Sequence, residues 1–580
     1  MEKSKITKSL AVFASVLLII IIGVASFAYF GTFNVNLNNN VAVNINSSSP
    51  GNATFTSTAT QLNLQVPAAN MSFTVANNTV AAKEDTAFLD VTLTGSSNLL
   101  TTCTYDIVYA YDAGSNVYGQ GTTTKTSGAT KEITIEVNGM NGNNNFAVET
   151  NFDHANIQSY YDSTNKYYKL VEGATIQSLG TEQSVRWKII GRYYNLNVSQ
   201  AQLGGKNFTG KIYAISKGCS SEDGTTVKKG YETILANNGG AASMTTLTST
   251  DFATVTTASD KGMYKAQDDL GTSYYFRGAV DNNWLKYGKY TKDMYNCNNG
   301  SISATDTGNS CTKIASSGDD IYWRIIRING DGSIRMIYSG VTPPTESTKV
   351  IKTTDTSLGN SPFNQKYNSA EYVGYMYEIG KQHGTSKSSD IKTFLDNWYA
   401  NYTDLNKTGT KITDQIYCND RTASTSDVAY STTNYTTLTS WNSTGTKYYY
   451  GANGRVWNSP VSPDYKCPVA SDKFTKTTAK GNGKLSYPVG LITADELTFA
   501  GLPAGETNNS FYLHTGANYW AGSPDGFFGG FGAYEFFVDG GGFLGSDSVD
   551  YTFGARGVVS LSSESKLLGS GTYNDVYVVS

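Results

Sequence analysis

The sequence predicts a multidomain exported protein: an N-terminal transmembrane helix, an all-β sandwich, then an α+β domain. Three observations carry this. Residues 10–30, LAVFASVLLIIIIGVASFAYF, contain no charge. From there to residue 219, short runs alternate apolar and polar residues, the pattern of half-buried strands. Beyond residue 262, such runs mix with two stretches of helical periodicity. At 580 residues the chain exceeds a single core, and two to four domains are expected.

The N-terminal run is long enough to span a bilayer, which takes about 20 apolar residues in a helix. Lys3, Lys5 and Lys8 precede it and should stay cytoplasmic, so the chain after Gly31 faces outward. Small residues at Ala25, Ser26 and Ala28 also suit cleavage of a signal peptide near Tyr29. Both readings, membrane anchor over 1–31 and cleaved signal, export the rest. Export in turn makes the six cysteines disulfide candidates: Cys103, Cys219, Cys297, Cys311, Cys418 and Cys467. Sequence proximity suggests Cys297–Cys311 and Cys418–Cys467, which leaves Cys103 with Cys219. Six cysteines allow 15 pairings in all. No C-x-x-C spacing occurs and the histidines are dispersed, so no metal site and no cofactor are expected. Charged residues make up 16% of the chain and the net charge is −4, which offers nucleic acid no basic face.

Strands are expected at AFLDVTLTG (87–95), CTYDIVYAY (103–111), KEITIEVNG (131–139), SVRWKIIGRYYNLN (184–197) and GKIYAIS (210–216), with MSFTV (71–75) before them. Together they predict a sandwich over 32–219. Residues 220–262 are rich in Thr, Ser and Gly and predict a linker. In 263–580, YWRIIRINGDGSIRMIY (322–338) is a hairpin turning at Asn329-Gly330-Asp331-Gly332. Apolar residues at 391, 394, 395 and 398 predict an amphipathic helix, capped by Ser389 or Asp390. Thr493 with Glu496 forms a capping box for a second helix.

Two resemblances follow from these residues. The lysine start, the apolar span ending AYF and the segment YYNLNVSQAQLGGKNFTGKIYAI resemble camelysin and TasA-like surface proteins. That resemblance covers 1–219 and implies a stalk or assembly module able to self-associate. A second ordered set comprises Ile492-Thr493-Ala494-Asp495-Glu496, Tyr519-Trp520 with Ser523-Pro524, Ala533-Tyr534, and Gly554-Ala555-Arg556-Gly557-Val558-Val559-Ser560-Leu561. It resembles the C-type lectin-like fold in its formylglycine-generating-enzyme-like branch, with Gly557 departing from the usual pattern. Enzymes of that branch use cysteines near the C-terminus, and none follows Cys467 here. The resemblance therefore implies a binding protein more readily than an enzyme.

The same branch includes the variable proteins of diversity-generating retroelements, whose adenine-directed mutation cannot produce Lys, Gln, Glu, Met or Trp at asparagine codons. Residues 525–554, DGFFGGFGAYEFFVDGGGFLGSDSVDYTFG, depart from the reachable set only at Glu535. The resemblance implies a variable region over about 519–561. Within it, the candidate contact residues are Asp525, Phe527, Phe528, Phe531, Phe537, Asp539, Phe543, Asp547, Ser548, Asp550, Tyr551 and Phe553. Gly529, Gly530, Gly541 and Gly545 are further candidates for randomised, exposed positions. Trp520, Tyr534, Val538, Leu544, Arg556 and Val558 are the expected scaffold. Rigid aromatics interleaved with Gly and Ser suit an adaptable binding surface. The expected function is display on the cell surface and binding of an external protein or glycan, on a host, a phage or another bacterium. Two alternatives stand beside it, a fibre or pilin-like subunit and an enzyme of the formylglycine-generating type.

Overall fold

The computed structural model describes residues 41–45, 53–66, 81–95, 99–111, 114–115, 132–139, 148–151, 161–162, 167–194, 199–223, 228–306, 310–424 and 447–580. The chain divides into two compact units, one over residues 1–227 and the other over residues 228–579.

The first unit is a sandwich of two antiparallel sheets. One runs β1 (Val41–Ile45), β2 (Ala53–Ser57), β4 (Ala81–Thr94), β10 (Gln183–Tyr194), β6 (Ile133–Gly139), β7 (Val148–Asn151). The other runs β3 (Thr60–Gln65), β11 (Asn207–Asp223), β5 (Leu99–Tyr111), β9 (Tyr167–Ser178), β8 (Tyr161–Asp162). Period-two alternation drives the packing: Ala87, Leu89, Val91 and Leu93 all point into the core. Trp187 from one sheet donates its indole N–H to the hydroxyl of Tyr105 from the other, at 3.1 Å within the buried core. The expected strand at 71–75 lies outside the described residues.

In the second unit, the larger sheet runs β12 (Lys261–Asp268), β13 (Gly271–Gly278), β18 (Asp320–Ile328), β14 (Trp284–Lys289), β32 (Tyr577–Val579), β31 (Leu567–Leu568). Strand β19 (Ile334–Tyr338) pairs with β18 and with β30 (Val558–Leu561). The expected 322–338 hairpin is thus present, with Gly332 at φ 82° in its turn. A small sheet joins β15 (Met294–Cys297), β16 (Ile302–Ser303) and β17 (Cys311–Ala315). Two short pairs are β21 (Met376–Tyr377) with β22 (Lys387–Ser388), and β23 (Tyr417–Cys418) with β25 (Lys473–Phe474). The last sheet runs β20 (Asn360–Pro362), β29 (Thr552–Gly554), β26 (Tyr519–Phe528), β27 (Gly532–Val538), β28 (Leu544–Ser548), and β24 (Lys447–Tyr449) also pairs with β26.

The helix Asp390–Tyr402 buries Ile391, Phe394, Leu395 and Trp398, and the Ser389 hydroxyl caps it by accepting from the Lys392 N–H at 3.3 Å. The Thr493–Glu496 capping box is also formed, with N–H donation in both directions at 3.0 and 3.1 Å.

Of three expectations, two are corrected and one lies outside the described residues. First, the described residues are mostly β, with 44% strand against 12% helix, where an α+β domain was expected after the sandwich. Among the described residues, only the 390–402 segment holds its 3.6-residue periodicity for three turns. Glycine and tyrosine-rich runs elsewhere favour strands and turns. Second, no described helix is long and apolar enough to cross a membrane, and the 10–30 run lies outside the described residues. Third, 220–262 is not a linker. Strand β11 continues to Asp223, and from Lys228 the chain belongs to the second unit. Helix Gly230–Asn237 buries Ile234 and Leu235, and the Arg277 guanidinium donates to the carbonyls of Asp251 (2.7 Å) and Thr254 (3.1 Å). A few apolar side chains in a Thr/Ser-rich stretch are enough to dock it.

Three disulfides join Cys103–Cys219, Cys297–Cys311 and Cys418–Cys467, leaving no free cysteine. Such a framework belongs to an oxidising, extracytoplasmic compartment.

Candidate binding face

The expected variable region forms β26 to β30, and the side chains of β26 to β29 are placed by the register of one sheet. Cross-strand partners share a face. Phe528 opposes Gly532, which puts Phe528 and Tyr534 on one face. Trp520 opposes Phe537, and Phe537 lies three residues from Tyr534, on the other face. The register slips between Trp520 and Pro524 and again between Pro524 and Gly526. These bulges change which side each residue of β26 takes.

The aromatic candidates consequently form two patches. On the first, Phe528 meets Tyr449 (5.4 Å between centroids) and Tyr534 (4.8 Å), both edge to face. Phe531, 71% exposed, stands at the β26–β27 turn beside it. On the second, Phe553 stacks on Phe537 at 4.6 Å and on Tyr551 at 6.1 Å, and Trp520 lies beneath at 4.6 Å from Phe553. Phe543 is half-buried next to them, its ring over Gly545.

Several expected contact residues are not available to a ligand. Phe527 opposes Ala533 and is fully buried. Asp525 is also buried and accepts from the Asn453 amide at 2.7 Å. Burial pushes its carboxyl above the usual carboxylate range, against the hydrogen bonds that lower it. Ser548 is buried and donates its hydroxyl to Asp550 at 2.5 Å. Asp539 is half-buried and spends Oδ1 on the N–H groups of Gly541 and Phe543, both at 2.8 Å, closing the β27–β28 turn. Asp547 is half-buried and Asp550 exposed. Of the expected scaffold, Trp520, Val538, Leu544, Arg556 and Val558 are buried, but Tyr534 is half-exposed and belongs to the first patch. Tyr449 and Tyr367 also flank that patch, and neither was among the residues expected at a binding face.

Some glycines here answer to geometry. Gly530 sits at φ 86° in the turn. A Cβ on Gly545 would lie 2.5 Å from the Phe543 ring. Both were expected among the randomised positions, and Gly529 and Gly545 are buried, whereas Gly541 is exposed.

Beneath the sheet lies a set of buried charges. Glu496 is ion-paired with Arg335 (2.6 Å) and Arg327 (3.1 Å), and Arg327 also meets Asp268 at 2.8 Å. Burial alone would raise the Glu496 carboxyl, but the two guanidiniums outweigh it and hold the group below its ordinary value. Arg455 bridges Asp495 (2.8 Å) and Asp420 (2.7 Å). The cavity these groups line measures about 30 Å³, room for a single water. Its charges hold one another and leave no space for a ligand. Among the described residues no group of three or more His, Cys, Asp or Glu is placed to hold a metal ion.

The chain matches no protein-family model, no curated protein and no solved structure.

Proposed function

We propose that this is an exported display protein whose second unit binds an external protein or glycan through the two aromatic patches of its C-terminal sheet. The observation that carries the reading is the stack Tyr551–Phe553–Phe537, with spacings of 6.1 and 4.6 Å, on the turn before β29, on β29 itself and on β27. Rings held by a sheet give large contact area at little ordering cost. Tyr551, 55% exposed, and Phe531 carry more apolar surface than a solvent-facing position needs. The resemblance to retroelement-diversified proteins supplies the rest of the reading: positions in 519–561 vary between cells. Attachment to a membrane through 10–30 rests on the apolar run alone.

Deep sequencing of codons 515–560 in a clonal population tests the variability. Changes confined to Phe528, Phe531, Phe537, Phe543, Tyr551 and Phe553 and their exposed neighbours, with Trp520, Val538 and Arg556 silent, are expected. A uniform sequence would reduce the reading to a fixed binder.

A further inference from the structure

The second unit holds an open groove of about 260 Å³ outside the variable region. Its walls are the loop of the Cys297–Cys311 hairpin, strand β20 and the first half of helix Asp390–Tyr402. Ile302, Pro362 and Phe394 supply apolar surface. Around them stand amides, hydroxyls and one carboxylate, with no Lys, Arg or His among the lining residues.

The polar groups retain bonding capacity. Asn299 uses Oδ1 on the N–H and hydroxyl of Ser301, at 3.0 and 2.6 Å. Asn397 uses Oδ1 on Asn401 at 2.8 Å. In each case the amide N–H₂ remains for a ligand. Asp390 accepts the Gln365 N–H through Oδ2 at 2.7 Å, which leaves Oδ1. Donors and acceptors therefore alternate around an apolar floor.

We infer that this groove binds a single neutral saccharide ring. A hydroxyl both donates and accepts, which suits a rim of free amide N–H₂ groups and a carboxylate oxygen, and the C–H face of a pyranose suits Ile302, Pro362 and Phe394. An anionic ligand would need a cation, and none lines the groove. The volume lies just below the range of about 300–1,000 Å³ that takes drug-sized ligands, so one ring fits and a folded peptide segment does not. The groove adjoins the second aromatic patch, because Ser361 opposes Phe553 and Pro362 opposes Thr552. The Trp520 indole also donates to the Ser361 carbonyl at 2.9 Å. A longer glycan anchored in the groove would run onto Phe553 and Tyr551. That extension rests on the proposed function; the groove itself does not.

The test is saturation-transfer NMR on the full chain with glucose, galactose, mannose and N-acetylglucosamine. Each sugar is used at about 10 mM, enough to populate a site with Kd near 1 mM. At least one pyranose should receive transfer. Thr393→Trp, which fills the groove from the exposed face of the helix, should weaken it at least about tenfold with the thermal melt unchanged. If that variant fails to fold, the paired change Gln365→Ala with Asn397→Ala decides, with the same loss expected. Absence of transfer from every sugar overturns the proposal. So does transfer that survives the groove variants but is lost in Tyr551→Ala, which would move the saccharide to the aromatic patch and spare the functional reading.

Discussion

Glu535 lies buried in β27 opposite the bulge of β26 that carries Asp525, and neither oxygen of Glu535 has a hydrogen-bond partner. Burial first, and the Asp525 carboxylate second, hold its carboxyl well above its ordinary value, while Arg421 pulls weakly the other way. A carboxyl raised on folding stabilises fully below its unfolded value of 4.5, and that contribution is lost as pH rises through the folded value. Glu535→Gln removes the titration. The variant should be more stable than the parent by about 1–3 kcal/mol above the folded value, with a flatter stability profile upward from pH 4.5. Urea melts at acid and neutral pH read both quantities. A parent that gains stability on going from pH 4.5 to neutral, with Glu535→Gln abolishing the gain, would contradict it.

A second buried acid behaves in the opposite sense. Glu496 is held below 4.5 by Arg335 and Arg327, so its contribution is present above that value and lost as pH falls through the folded one. Glu496→Gln takes the carboxylate from buried Arg335 and leaves Arg327 with Asp268 alone, and should cost about 3–5 kcal/mol at pH 7. The same comparison at low pH should show the gap narrowing, as the parent's own carboxyl protonates.

The two aromatic patches separate binding from folding. Phe527→Ala empties a fully buried site and should cost about 3–5 kcal/mol. Phe531→Ala should stay within about 0.5 kcal/mol of the parent. Tyr551→Ala and Phe531→Ala should weaken ligand capture while the denaturation midpoint holds. A midpoint loss for Phe531→Ala as large as that for Phe527→Ala would mean that its ring belongs to the core.

The disulfides close loops of very different length. Cys103–Cys219 spans 116 residues and Cys297–Cys311 spans 14. On chain entropy, replacing the first pair with Ser should cost about 4–5 kcal/mol in the sandwich, and replacing the second about 3 kcal/mol in the other unit. Denaturation followed by Trp187 fluorescence for the sandwich, and by the other tryptophans for the second unit, measures each. Equal costs would point away from the entropic account.

Features of short range were legible in the sequence. The Asn329–Gly332 turn, the Ser389 cap and the Thr493–Glu496 box each depend on residues within four positions, and each formed as expected. The cysteine pairing suggested by proximity was formed too. The docking of 228–262 was hidden because its few apolar residues, Ile234, Leu235 and Phe252, find their partners far away in the chain.

By itself, then, the sequence determined the turns, the caps, the alternating strands of the sandwich and the composition of the C-terminal run. Tertiary structure alone decided which rings of that run face outward. Side chains in a strand alternate with period two, so each one-residue slip in pairing exchanges the two faces. The slips between Trp520 and Gly526 put Trp520 and Phe528, eight residues apart, on opposite faces, and Asp525 and Phe527 are buried between them. The groove at Gln365, Thr393 and Asn397 was likewise invisible in sequence, because the three segments that line it meet only when β20 pairs with β29 and the helix packs beside them.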